Sequence, residues 1–134
     1  RDSKNVLLIL GATNKPWEID EAVFRTGRFD EKIYIGPPDA EARAGIFKKH
    51  LGEAACDASV DVAAFATAME GFSGSDVAAV VHTAKRLALD RAVRENADAV
   101  LTGADFEAAR ARVPCSITAA MLEQFGQFKR QRFG

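Results

Sequence analysis

An asparagine directly after an apolar run, and two arginines flanking a glycine, are the residues here whose types and spacing can do chemistry. Val6 to Leu10 reads VLLIL, and Asn14 follows it in Gly11-Ala12-Thr13-Asn14. In parallel α/β sheets ligands sit just beyond the carboxyl ends of strands, so an amide at that place can orient a water. Thr13-Asn14-Lys15-Pro16 is equally good turn chemistry by itself. Arg25 and Arg28 stand around Gly27, and a single turn can project both guanidinium groups toward one phosphate. An arginine supplied by an adjacent molecule stabilises charge on a transferred phosphoryl group, a contribution of about 10³ to 10⁵ in rate. The plainer alternative is a surface turn with ion pairs to Asp20, Asp30 or Glu31, each worth little.

Three further positions stand at helix ends, where a polar group has work to do. Gly74 and Ser75 open a long helical pattern, where unpaired N–H groups and the helix dipole favour polar or anionic ligands; a simple cap is the other reading. Asp76 suits that first turn as a dipole partner rather than as a catalytic acid. His50 ends an earlier helical pattern, where an imidazole complements the helix dipole. His82, inside the long helix, acquires no role. No G-x-x-x-x-G-K-[ST] loop and no apolar run ending in paired acids occurs anywhere, so the residues that would grip a nucleotide's phosphates are not in this sequence.

Composition bounds what these residues can belong to. At 134 residues and 48% hydrophobic content, the chain can bury one ordinary core. A net charge of -1 from 18 basic and 19 acidic side chains gives no overall attraction to nucleic acid or anionic lipid. Cys56 and Cys115 lie far apart without His or Cys neighbours, which fits buried, reduced thiols and neither a disulfide framework nor a zinc site. No apolar stretch approaches the ~18 residues of a membrane span, and the run after Arg1 to Asn5 is too short for a secretory leader. A cytoplasmic location is expected.

The elements that must hold the site follow from periodicity and punctuation. VLLIL suits a fully buried parallel strand; Trp17 to Arg25 suits a short helix, and Lys32 to Ile35 a strand before Gly36-Pro37-Pro38. Everything after Asp39 reads as helix. Asp39 caps Ala40 to Leu51; Asp61 to Met69 is short; Gly71 takes the left-handed closing position. Ser73 or Ser75 caps the amphipathic stretch Asp76 to Glu95. Thr102 caps a helix from Gly103 or Ala104 to about Val113, which Pro114 ends, and Thr118 caps a last one to about Phe133.

Taken in order, GATN, RTGRFD, the helix ending at His50 and GFSGSD resemble the second half of an AAA ATPase module of the valosin-containing protein, proteasomal ATPase and katanin–spastin type. The likeness runs from about Asn5 to Arg94, with a weaker echo from Ile117 to Gly134. It implies an α/β plus all-α architecture: the last strands of a parallel P-loop-type sheet in residues 1–39, then a lid of four to five helices in residues 40–134. It implies that Asn14 is the first sensor, that Arg25 and Arg28 are fingers acting on the next subunit's ATP, and that His50, Gly74 and Ser75 lie around base and sugar. Thr26 stands where many members carry proline, and Ser75 where many carry alanine.

ATP or ADP with Mg2+ is the implied cofactor set, with the Mg2+ ligands, phosphate-binding Lys and catalytic Glu outside this sequence, so the chain alone is expected to be inactive. The implied partners are identical subunits in a hexameric ring, the remainder of the module and a protein substrate to be remodelled. Phe125, Phe128 and Phe133 among Lys129, Arg130 and Arg132 allow nucleic-acid binding, packing on the chain's own domain, or a subunit contact; the last is preferred. A non-catalytic helical adaptor derived from an AAA protein, and a DNA-associated AAA+ ATPase, are the alternatives.

Overall fold

The computed structural model describes residues 5–13, 15–25, 27–29 and 31–133. Asn14, Thr26 and Asp30 lie outside the described residues, so the expectations placed on them are not part of the structure below. Contacts divide the chain into two compact units, Ile35–Phe125 and the pair of segments Arg1–Tyr34 with Gly126–Gly134.

The larger unit is helical because each helix begins on a side chain that satisfies its free N–H groups. Asp39 accepts from Ala42 N–H ahead of α1 (Ala40–Leu51). Asp61 accepts from Ala64 N–H ahead of α2 (Val62–Ala68). Ser73 and Asp76 close a reciprocal capping box on α3 (Gly74–Glu95), so of the two serines considered Ser73 is the cap. Thr102 and Asp105 do the same for α4 (Gly103–Arg112). Thr118 accepts from Met121 N–H before α5 (Ala119–Arg132). Gly71 takes the left-handed φ of 84° expected of it.

α1 packs on α2 and α3, and α3 on α4. Phe47, Phe65, Met69, Val77, Val80, Val81, Ala84 and Phe106 fill the space between them. Arg43 is almost wholly buried, its charge placed on backbone carbonyls: Nε donates to Ala66 O and a terminal nitrogen to Pro38 O, each at 2.8 Å. That puts a cation at the carbonyl end of α2, where the helix dipole favours it.

The turn before α4 admits no side chain. A Cβ on Gly103 would lie 2.7 Å from the Ser59 carbonyl oxygen, while Gly103 N–H donates to Ser59 Oγ at 2.8 Å. Gly103→Ala must therefore move backbone, and urea denaturation of the variant is expected to read a loss of about 1–3 kcal/mol.

Asp105 ties α4 to α3 through two bonds with the Arg91 guanidinium at 2.6 and 2.9 Å. Those bonds, helped by Thr102 against the opposing effect of burial, hold its carboxyl below the ordinary carboxylate range. A carboxyl depressed in the folded state adds stability above its unfolded pKa and loses it as pH falls through the folded value. Wild type is thus expected to lose its advantage in melting temperature over Asp105→Asn as pH drops below ~4, the unfolded carboxylate value.

The smaller unit contains no strand among its described residues. Val6 to Leu10 is exposed, between 68% and 97% per residue, and neither it nor Lys32 to Ile35 is a strand. A parallel strand exists only by pairing its N–H and C=O groups in a ladder with a neighbour, and no such ladder includes either segment among the described residues. The one β contact among them is an isolated parallel bridge, Cys56 to Leu101, in the other unit. The short helix expected over Trp17 to Arg25 is two 3-10 turns, Pro16–Glu18 and Glu21–Phe24. Ile19 between them is extended, and Asp20 is non-helical and caps the second turn by accepting from Ala22 N–H, which interrupts any continuous helix.

The aromatic end of α5 belongs to this unit. Phe128 packs on Phe24 with ring centroids 5.8 Å apart, and Phe133 on Tyr34 at 5.6 Å. The Arg132 guanidinium sits 4.6 Å over Phe24 and pairs with Glu21. Phe128 and Phe133 thus make the contacts within the chain that the packing alternative describes. Both cysteines are free and exposed rather than buried. The Cys115 thiol donates to Gly71 O at 2.8 Å, which fixes it at the surface of the loop before α3.

Candidate functional site

Arg25 and Arg28 share one tight turn. Arg25 ends the second 3-10 segment with an extended backbone, Arg28 N–H donates back to Arg25 O at 3.3 Å, and Gly27 takes φ 85° between them. A side chain at Gly27 would be strained at that angle. Both arginines are exposed, and neither forms an ion pair with a described residue. Asp20 is occupied in capping. Two guanidinium groups are therefore presented to solvent from one turn, with their donors free of the described residues.

The other predicted residues gather in the larger unit, on the seam of α1 and α3. The Ile46 side chain lies 3.4 Å from where a Cβ of Gly74 would be, and His50 follows Ile46 by one turn. At the start of α3 the capping box uses the N–H groups of Ser73 and Asp76, and Val77 N–H bonds to Ser73 O. The N–H groups of Gly74 and Ser75 have no partner among the described residues. These two donors, at the positive end of the α3 dipole, fit a polar or anionic group.

Asp76 is a structural carboxylate, consistent with its reading as a first-turn partner. Burial would raise its pKa, but bonds from the Ser116 hydroxyl and N–H and from Ser73 outweigh that and hold it below the ordinary value. The Ser116 hydroxyl donates to Asp76 Oδ2 at 2.7 Å and its N–H at 2.9 Å. The loop after α4 is thereby clasped to the α3 N-terminus. Ser73 and Asp76 show the capping-box spacing in the sequence, whereas nothing local signals Ser116.

His50 is half-buried. Its ring meets His82 edge to face at 5.5 Å, and its carbonyl accepts from the Lys85 ammonium at 2.6 Å. Neither partner carries a signal in the sequence for this part. Among the described residues no group of three His, Cys, Asp or Glu side chains is arranged to hold a metal, and no helix is long and apolar enough to cross a membrane.

Comparison with known proteins places two segments of the chain in families. Residues 1–37 match the family model for the ATPase family associated with various cellular activities (AAA), and residues 59–108 match the AAA+ lid domain. The katanin p60 A-like 1 ATPase of Danio rerio is 34% identical over 136 residues, covering 92% of this chain and 28% of the relative. The Homo sapiens protein of that name is 33% identical over the same share of this chain. The ATP-dependent zinc metalloprotease FtsH of Opitutus terrae is 43% identical over 77 residues, 58% of this chain and 12% of its own length. The chain thus spans about a quarter of the katanin relatives and less of the FtsH one. With both matched segments in the order the motifs require, the chain belongs to the AAA family of ATPases, carrying an AAA segment followed by an AAA+ lid.

Proposed function

We propose that this chain serves an AAA ATPase that couples ATP hydrolysis to the remodelling of protein substrates, supplying the first sensor, trans-acting arginine fingers and a nucleotide-covering lid. The observation that carries the reading is the pair of exposed guanidinium groups on the Gly27 turn, unpaired among the described residues. Arg43 and Arg91, by contrast, are bound to a carbonyl and a carboxylate of the chain itself. An arginine meant for a neighbour's phosphate stays free until that neighbour docks.

In this reading residues 1–39 end the large α/β subdomain and residues 40–134 form the lid. Asn14 orients the attacking water within its own subunit. The free N–H groups of Gly74 and Ser75 and the imidazole of His50 contact the base and sugar side of the nucleotide. ATP enters with Mg2+, which neutralises phosphate charge and is held by ligands outside this chain. Identical subunits assemble in a ring, hexameric by family habit, in the cytoplasm. The test is the assembled ATPase with Arg28→Ala and wild-type subunits mixed in varying ratio. A finger acting across the interface makes activity fall faster than the wild-type fraction, and strict proportionality defeats the reading.

A further inference from the structure

We propose that His82 is a positioning residue for the His50 imidazole, acting together with Lys85 one turn further along α3. The inference rests on the reading of His50 as a nucleotide-facing residue. His50 sits in the last turn of α1, where helix ends fray and side chains reorient readily. Two groups of α3 remove that freedom at separate points. The Lys85 ammonium donates to the His50 carbonyl at 2.6 Å, satisfying one of the terminal carbonyls that a helix leaves without an intrahelical partner. It also places a cation at the negative end of the α1 dipole. The His82 ring meets the His50 ring at 5.5 Å and 71°, the edge-to-face arrangement that aromatic quadrupoles favour. Backbone and ring of His50 are therefore each held by α3, whose own N-terminus carries the free donors of Gly74 and Ser75.

A structural explanation of His82 does not suffice. Its side chain is exposed, forms no hydrogen bond with a described residue, and is absent from the core cluster. Its one ring contact among the described residues is with His50. Its effect therefore falls on where the His50 imidazole points rather than on how well the unit holds together.

The experiment compares His82→Ala, His82→Phe and His50→Ala in the full-length ATPase, with ring-carbon NMR relaxation of His50 followed in the chain itself. His82→Ala is expected to raise KM for ATP about three- to tenfold, the equivalent of one aromatic pair. The value of kcat should stay within about twofold, because a contact made in ground and transition state alike acts on binding. The melting temperature stays unchanged, and the His50 ring gains motion. His82→Phe keeps an aromatic edge against His50 and restores both KM and ring order. If His50→Ala raises KM and His82→Ala does not, the positioning role is overturned while the reading of His50 stands. If His50→Ala leaves KM unchanged, the nucleotide-facing reading fails and takes this inference with it.

Discussion

An assembly in which every protomer carries Arg28→Ala is expected to hydrolyse ATP about 10³- to 10⁵-fold more slowly than wild type, the contribution of an arginine finger to phosphoryl transfer. The chain itself should fold unchanged. The Arg28 side chain is exposed and makes no ion pair with a described residue, and the turn is held by its backbone N–H to Arg25 O. The melting temperature then separates lost catalysis from lost structure. Arg28→Lys should recover little, because a compact ammonium cannot reproduce the planar fork that spans two phosphate oxygens. Arg25→Ala is expected to cost less than Arg28→Ala. A uniform Arg28→Ala assembly within about tenfold of wild type would remove the finger from the mechanism, since even a single ordinary charge-assisted bond is worth that much.

What is legible in the sequence is what is local. Asp39, Thr102 and Thr118 announce their helices because a capping side chain acts within three residues of itself, and each caps as expected, whereas Asp61, read as the first residue of its helix, is that helix's cap. Gly71 is legible for the same reason. Apolar periodicity starts α3 two residues late because Gly74 and Ser75 are poor helix formers; the box formed by Ser73 and Asp76 carries the helix back to them. The expected sheet is not formed among the described residues because a strand is a property of its neighbours. VLLIL states a preference for burial, and whether it is met depends on a ladder of hydrogen bonds that is not formed among the described residues.

The site is legible unevenly. The Arg25–Arg28 spacing around Gly27 declares a turn, and that turn is there. His50 stands out at a helix end, but its holders His82 and Lys85 do not, since the pairing joins positions 32 and 35 residues away. Ser116 on Asp76 and Arg43 on Ala66 are of the same kind, at separations of 40 and 23. Motif reading finds the groups that would touch a ligand, and packing supplies the groups that aim them.

Phe47→Ala is expected to cost the larger unit about 3–5 kcal/mol, the usual penalty for emptying a fully buried aromatic site. Phe47 is 0% exposed and stands where three helices meet. From α1 its ring stacks on Phe65 of α2 at 6.3 Å and 4°, and lies 4.8 Å from Phe106 of α4. Phe65 and Phe106 touch each other at 5.5 Å, so removing Phe47 opens one side of a closed aromatic triangle. Set against a total of about 5–15 kcal/mol for a domain, the loss is large enough to show as a sharply lower urea midpoint with little change in slope. Phe47→Leu refills most of the space and should cost less than half as much. Phe47 also precedes His50 by one turn on α1. Loosening it should therefore weaken ATP binding before the unit unfolds, and Phe47→Ala is expected to raise KM at temperatures where circular dichroism still reports full helix. A loss below about 1 kcal/mol would mean that α1 is held by its contacts with α3, through Ile46, His50 and Lys85, rather than by this ring.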